Sequence, residues 1–146
     1  MWDAAGAASP VLLAAGGSGI VPLRSILRHR ERSGATVPVR LLYSVRSLPD
    51  LIYREEIDRY AADGVAVTYT LTREQPPGWT GRRGRVDSSL LADVAWPRSD
   101  GPGDAEPVAY VCGPTAFVES IAEDLTKLGY PPARVKTERF GGAGGP

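Results

Sequence analysis

Residues 11–22 read VLLAAGGSGIVP, a continuous apolar run that ends in glycines and continues towards a proline. Such a run is typical of a strand buried on both faces of a sheet, and it predicts a strand over residues 11–15. A helix is expected from Ile20, because Pro22 then lies in the first turn, where its missing N–H is tolerated. Glycines between a strand and a helix let a ligand approach the free helix amides closely, which suits a pyrophosphate.

The other apolar runs alternate with amphipathic stretches in the same way. Further strands are predicted over residues 37–43, 65–71, 108–111 and 134–138. The strand over residues 65–71 is expected near a sheet edge because its alternate residues are polar. Further helices are predicted over residues 47–63, 86–94 and 117–128. Ser47 and Asp50 have the S-x-x-D spacing of a reciprocal cap, which predicts the start of the first of these helices. Five strands separated by helices predict an α/β fold, a three-layer αβα sandwich around a five-stranded parallel sheet, that is, a Rossmann-like nucleotide-binding domain.

Composition restricts the function classes. The chain has 146 residues, enough for one domain, which we expect over residues 11–140 between a linker remnant (residues 1–10) and a flexible tail (residues 141–146). Its 17 basic and 17 acidic residues cancel, which disfavours nucleic acid as a partner. Cys112 and His29 are the only residues of their types, so no internal disulfide and no cysteine-rich zinc site can form.

The sequence also carries no sign of export or membrane insertion. The N-terminus has no basic residue before Arg24, unlike a secretory signal, and no apolar run approaches the roughly 18 residues of a membrane span. A cytoplasmic protein with no membrane span is therefore expected.

The glycine turn departs from the usual dinucleotide fingerprint. Gly17, Ser18 and Gly19 satisfy G-x-G, but Pro22 replaces the third glycine, and no acidic residue follows at the end of the second strand. An ordinary NAD site is therefore disfavoured. A turn that merely packs a strand against a helix is the plain alternative, whereas a lipase-type serine elbow would need glycine at Ile20.

Arginines stand beside hydroxyl groups at two neighbouring strand ends. Ser44 and Arg46 follow the second strand, and Thr72 and Arg73 follow the third. A guanidinium presents a fork of donors that matches a phosphate monoester. Solvated arginines are the commoner case for either one alone. The pair favours the 2′-phosphate of NADP, with NAD still possible.

Three stretches together point to a family: GGSGIVP (residues 16–22), VCGPTAFVES (111–120) and TERFGG (137–142). They resemble the NAD(P)-binding half of the ferredoxin–NADP reductase family, flavin-dependent reductases that include the reductase components of oxygenases. The stretches LLYSVRSLPDLIYREEI (41–57) and WTGRRGRV (79–86) agree with the resemblance, which covers residues 11–142.

The resemblance implies a role for each matching residue. Around the pyrophosphate it places Gly16, Gly17, Ser18, Gly19 and Pro22, and around the adenosine 2′-phosphate Ser44, Arg46 and Arg73. Cys112, Gly113 and Pro114 would line the nicotinamide side, and Cys112 and Glu138 would flank the place where hydride passes to the flavin. Phe140 matches an aromatic residue that covers the flavin ring in relatives. Taken alone, Cys112 reads as a small buried hydrophobic residue.

The resemblance also implies partners. The family reaction needs FAD, held by a β-barrel domain that normally precedes this one, and the residues before Val11 are too few for such a barrel. We therefore expect a flavoprotein oxidoreductase module that works with an FAD-binding barrel encoded separately or lost by truncation. Its electron acceptor would be a protein such as a ferredoxin or an oxygenase component. A non-catalytic NADP-binding module and a truncated inactive fragment are the alternatives.

Overall fold

The computed structural model of the chain describes residues 9–97 and 106–140. Residues 1–8 of the expected linker (residues 1–10), residues 98–105 and the expected tail (residues 141–146) lie outside these ranges. One parallel sheet contains β1 (Val11–Gly16), β2 (Val39–Val45), β3 (Ala66–Leu71), β4 (Arg82–Arg83), β5 (Val108–Pro114) and β6 (Val135–Phe140). The helices are α1 (Ile20–Ser33), α2 (Arg54–Ala62), α3 (Ser88–Val94) and α4 (Thr115–Lys127).

The strand order is β4-β3-β2-β1-β5-β6, and all neighbours are parallel. From β1 the chain therefore winds outward first towards β4 and then, after returning through β5, towards β6. This arrangement confirms the predicted parallel sheet and is doubly wound, with its switch point between β1 and β5. Ligands bind at the carboxyl ends of the strands at such points.

The prediction of five strands is wrong by one, because the described residues form six. The additional strand β4 pairs Arg82 and Arg83 with Thr70 and Leu71 of β3. A hydrogen bond of 2.8 Å from the Thr70 hydroxyl to the Gly84 carbonyl holds it in place. Two exposed arginines show no apolar pattern, so the sequence signal was that of a loop.

The predicted helix over residues 47–63 is broken in the structure. Leu48–Asp50 forms a 3₁₀ turn, and α2 begins only at Arg54. Ser47 and Asp50 do form the expected reciprocal cap, but they cap the 3₁₀ turn. Tyr53 then adopts a left-handed conformation (φ 58°), which separates the turn from the helix.

Strand ends differ from the prediction by two or three residues. The second strand spans Val39–Val45 rather than residues 37–43, and the last two reach Pro114 and Phe140. The end residues of these strands include polar side chains, glycine and proline, which interrupt the apolar pattern although the backbone continues to pair.

Hydrophobic side chains fill both sides of the sheet. Leu13 of β1 faces α1 and α2, whereas Leu12 faces α3 and α4, because successive side chains on a strand point to opposite faces. Ile20 and Ile57 complete the first layer, and Ile121 belongs to the second. The three-layer sandwich is confirmed, and the carboxyl strand ends are left at one edge of the core. Within the described ranges, no helix has the length and apolar character needed to cross a membrane.

Candidate nucleotide-binding site

An open cleft of about 440 Å³ lies at the carboxyl ends of β1, β2 and β5. It is lined by Gly17, Ser18, Tyr43, Val45, Arg46, Asp50, Ile52 and Pro114. The glycine turn thus forms one wall, and the segment after β2 forms the other. The cleft lies at the switch point of the sheet, the place where this architecture binds ligands.

The glycine turn is packed too closely for side chains. A Cβ on Gly19 would lie 2.0 Å from the carbonyl oxygen of Cys112, and one on Gly16 would lie 2.8 Å from the Phe117 ring. Gly17 has a φ of 54°, a left-handed conformation that glycine adopts without strain. The backbone of the turn is therefore bare on its cleft side and fixed against β5 on the other.

The helix that follows has an N-terminus without a side-chain cap. Gly19 is its N-cap residue, and its first turn contains no acidic residue. Pro22 lies in this first turn, as predicted from the sequence. Free amides at a helix N-terminus carry a partial positive charge and attract anions. Together with the bare glycine backbone, they form a cradle that suits a phosphate group.

The ends of β2 and β3 are tied together beside the cleft. The Thr72 amide donates to the Val45 carbonyl at 2.8 Å, and the amides of Arg73 and Glu74 both donate to the Arg46 carbonyl at 3.0 Å. Arg46 lines the cleft, and the side chains of Arg46 and Arg73 are both exposed. The hydroxyl of Thr72 is buried and has no hydrogen-bond partner. The backbone hydrogen bond between Arg73 and Arg46 therefore holds these two arginines next to each other at this edge of the sheet.

Ser44 is placed differently from the two arginines. It is 2% exposed, lies beside Gly16 in the sheet, and is not one of the cleft-lining residues. Tyr43 and Val45 reach the cleft instead, because alternate residues of β2 face opposite sides of the sheet. The structure thus brings Gly17, Ser18, Arg46 and Pro114 of the predicted site together and leaves Ser44 buried.

Four cleft residues were missed by the sequence interpretation: Tyr43, Val45, Asp50 and Ile52. The Ile52 amide donates to the Tyr43 hydroxyl at 3.2 Å, and burial raises the pKa of this phenol. The Asp50 carboxylate accepts hydrogen bonds from the Ser47 amide (3.2 Å) and hydroxyl (3.0 Å). The Ser47–Asp50 spacing was the available signal, but it was interpreted as the start of a helix only.

Cys112 is 5% exposed at the end of β5 and lies opposite Glu138 of β6. Burial, and to a lesser extent the negative charge of Glu138, raise the pKa of the thiol to about 11. The thiol is therefore protonated at neutral pH. Glu138 is exposed, and Phe140 is half-buried against the α1 and α2 side of the core.

The described residues contain no group of three or more His, Cys, Asp or Glu side chains that could hold a metal ion.

Residues 13–123 match the profile of the oxidoreductase NAD-binding domain family. The chain belongs to this family. In ferredoxin–NADP reductases and cytochrome b5 reductase-type proteins, this NAD-binding domain is the C-terminal part.

Curated relatives of this NAD-binding domain are longer proteins. It is 33% identical to ferredoxin–NADP reductase B of Sorangium cellulosum over 92% of the chain and 56% of the relative. It is also 33% identical to the ferredoxin–NAD(P)+ reductase component of the naphthalene 1,2-dioxygenase system of Pseudomonas putida, over 90% of the chain and 38% of the relative. The chain thus spans about half the length of the first relative and less of the second.

Solved structures have the same fold. A cytochrome P450 reductase of Amycolatopsis matches with a TM-score of 0.77 at 25% identity, over 96% of the chain and 40% of the reductase. A ferredoxin–NADP+ reductase of Neisseria gonorrhoeae, solved with bound FAD and NADP, matches with a TM-score of 0.69 at 23% identity, over 90% of the chain and 56% of that protein.

Proposed function

We propose that this chain is the pyridine-nucleotide module of an NAD(P)H-dependent flavoprotein oxidoreductase. The observation that carries the proposal is the cleft in which Gly17, Ser18, Arg46 and Pro114 meet at the carboxyl ends of three strands. Its walls combine a phosphate cradle with an arginine, a combination that fits NADP(H) and also accommodates NAD.

In this proposal, the cradle of Gly16, Gly17, Ser18, Gly19 and Pro22 holds the pyrophosphate. The free amides of α1 donate to the phosphate oxygens, and the bare glycine backbone allows contact without side-chain interference. The missing side-chain cap on α1 supports this assignment, since the helix start has no side-chain cap hydrogen bond and no acidic residue in its first turn.

Arg46 and Arg73 recognise the adenosine 2′-phosphate. Hydrogen bonds between their backbones keep the two guanidinium groups at one edge. Ser44, although carried over from the family pattern, is buried beside Gly16 and would contribute by shaping the strand end. Charge-assisted hydrogen bonds contribute about 1.5–3 kcal/mol each, so each arginine accounts for roughly a ten- to hundredfold preference for NADP.

Cys112, Gly113 and Pro114 hold the nicotinamide ring. Pro114 lines the cleft, and the buried, protonated Cys112 with the exposed Glu138 marks the reactive end. The thiol orients the ring as a neutral donor rather than attacking it as a thiolate. Phe140, at the end of β6, is placed to contact a flavin that approaches this edge.

An FAD bound on a neighbouring β-barrel domain would supply the hydride acceptor for nicotinamide C4. We assign FAD to such a domain because, in this proposal, the dinucleotide occupies the cleft at the switch point. The relatives, a ferredoxin–NADP reductase and a dioxygenase reductase component, favour a ferredoxin or an oxygenase component as the electron acceptor.

Calorimetric titration of the chain with NADP+ and NAD+, repeated on Arg46→Ala and Arg73→Ala, tests the proposal. We expect saturable binding that favours NADP+, and a roughly ten- to hundredfold loss for NADP+ in either variant. Equal affinity for both dinucleotides would refute the 2′-phosphate site, and no binding to the wild type would refute the module itself. Binding without NADPH-dependent turnover on a supplied flavin domain would identify a non-catalytic NADP-binding module instead.

A further inference from the structure

Tyr53 has an unusual backbone at the edge of the cleft. Among the described residues it is the only one other than glycine with a positive φ, at 58°. It directly follows the cleft residue Ile52 and is the N-cap residue of α2. A bulky side chain remains in this conformation only where its surroundings hold it, and such strain is concentrated at functional sites.

Arg24 of α1 holds Tyr53 in place. Its guanidinium carbon lies 4.1 Å from the centroid of the Tyr53 ring, a cation–π contact. Nε and Nη2 of the same arginine both lie 2.9 Å from Oε1 of Glu56, and the Tyr60 hydroxyl donates to Oε2 at 2.6 Å. We call these four residues the Arg24 clamp.

The clamp joins the two walls of the cleft. One wall starts at the N-terminus of α1, the helix that supplies Arg24 one turn further on. The other wall contains Asp50 and Ile52, and the clamp fixes its far end at Tyr53. Its near end is fixed by the hydrogen bonds between Ser47 and Asp50.

We propose that Arg24 and Tyr53 are positioning residues for the dinucleotide, which they need not touch, and that the clamp holds Asp50 and Ile52 in the binding conformation. This inference rests on the proposed function. Without the clamp, the wall that contains Asp50 and Ile52 can leave the binding conformation. The apparent affinity for the dinucleotide is then the intrinsic affinity multiplied by the fraction of time that this wall is in place.

A second ion pair provides an internal control. Arg59 of α2 lies 3.5 Å from Glu31 of α1, so it joins the same two helices. Its guanidinium carbon also lies 5.3 Å from the centroid of the Tyr60 ring, a contact that includes neither Arg24 nor Tyr53. Glu31 is two helical turns further from the cleft than Arg24. A contact that only stabilises helix packing should behave alike in both pairs, whereas the proposal assigns a role in binding to the Arg24 pair alone.

The test compares NADP+ affinity with thermal stability in four single variants of the 146-residue chain and in the Tyr53→Gly, Arg24→Met double variant. Tyr53→Gly removes the ring but suits the positive φ, and Tyr53→Phe keeps the ring. Arg24→Met breaks the clamp, and Arg59→Met is the control. We expect Tyr53→Gly and Arg24→Met each to raise the Kd about tenfold, as for a wall in place a tenth of the time, and the double variant to add nothing.

Tyr53→Phe and Arg59→Met should bind like the wild type. Hydrogen exchange at the Ile52 amide, measured without nucleotide, should accelerate only in the two clamp variants, because this amide reports the position of the wall directly.

Unchanged affinity in Tyr53→Gly, or an equal loss in Arg59→Met, would overturn the inference while leaving the proposed function intact. If Arg24→Met does not fold, the comparison of Tyr53→Gly with Tyr53→Phe decides alone. Failure of the wild type to bind NADP+ would instead overturn the proposed function, and the inference with it.

Discussion

Strand β2 carries an arginine near each end, and the two are used differently. At the amino end, the Arg40 guanidinium donates to the carbonyl oxygens of Val94 (3.2 Å) and Ala95 (3.1 Å) and lies 3.9 Å from the centroid of the Trp96 ring. At the carboxyl end, Arg46 is exposed and lines the cleft. Arginine therefore binds backbone carbonyls and an aromatic ring at one end of the strand, and it lines an open cleft at the other.

The contrast extends to the surrounding residues. At the amino end, the Trp96 indole donates to the Val11 carbonyl at 2.8 Å, and the Tyr130 hydroxyl donates to the Trp96 carbonyl at 2.7 Å. At the carboxyl end, Gly17 and Ser18 line an open cleft. Stability and binding are thus assigned to opposite ends of the sheet, and substitutions should separate them.

Gly19→Ala should have the largest effect, because it affects both properties. Gly19 has an ordinary helical φ of −60°, so the only obstacle is the Cys112 carbonyl oxygen, 2.0 Å from the new Cβ. Backbone cannot yield as a side chain can, and we expect a loss of about 3 kcal/mol or more in the free energy of unfolding. Urea denaturation measures it.

Gly34→Ala is the control for that experiment. Gly34, at the end of α1, has a φ of 68°, but a Cβ added there would meet nothing within 4 Å. It should cost only about 1–2 kcal/mol, the strain of the backbone alone. An equal effect in both variants would contradict the close packing of the turn against β5.

Arg40→Met tests the amino end. It leaves two carbonyl oxygens without their charged donor, and we expect the free energy of unfolding to fall by about 2–3 kcal/mol with NADP+ affinity unchanged. Arg46→Met is the matched variant at the other end, where an exposed substitution should change stability by no more than about 0.5 kcal/mol and weaken NADP+ binding. If Arg40→Met lost NADP+ affinity at a temperature where the variant is folded, stability and binding would not be assigned to opposite ends of the sheet.

Glu56→Gln should change how stability depends on pH. The hydrogen bond from Arg24 holds the pKa of Glu56 below its usual value near 4.5. A carboxyl whose pKa is lowered by folding stabilises the protein above its unfolded-state pKa, and this contribution disappears as pH falls through the folded-state pKa. The wild type should therefore lose stability more steeply than Glu56→Gln between about pH 5 and pH 3.

Thermal unfolding followed by circular dichroism across this range provides the measurement. The Glu31→Gln variant, from the exposed ion pair with Arg59, is the matched control and should follow the wild type. Parallel curves for the wild type and Glu56→Gln would show that the Arg24 contact does not depend on the charge of Glu56.

The smallest expected effect is a slow alkylation of the Cys112 thiol in the folded chain. With a pKa of about 11 and 5% exposure, its thiol is almost entirely protonated at neutral pH. Alkylation of the native chain by iodoacetamide, followed by mass spectrometry, should be much slower than that of the urea-unfolded chain. Comparable rates would contradict the buried, protonated thiol.

Features encoded by nearby residues were predictable from the sequence. The apolar run of β1, the glycine turn and Pro22 gave the start of the fold, and Arg46 was placed at the site by its position after β2. Strand periodicity alone could have shown that Ser44 faces away from Tyr43 and Val45.

Features that depend on distant residues were not predictable. β4 forms only because two arginines meet the end of β3, and its sequence has no strand pattern. The break at Tyr53 depends on Arg24, which lies on another helix, and the Arg24–Glu56 contact joins residues 32 positions apart. Tertiary contacts of this kind override local preference, so pattern alone predicted one continuous helix.

The most direct test of the assignment of binding to the carboxyl end is an NMR titration of the ¹⁵N-labelled chain with NADP+. We predict that the amide signals of Gly17, Ser18 and Arg46 shift with a common saturation curve, while the Trp96 indole N–H stays in place. A second cleft, of about 310 Å³, lies at the amino end beside Arg40 and Trp96. Shifts centred on that cleft, with the glycine turn unaffected, would contradict the account.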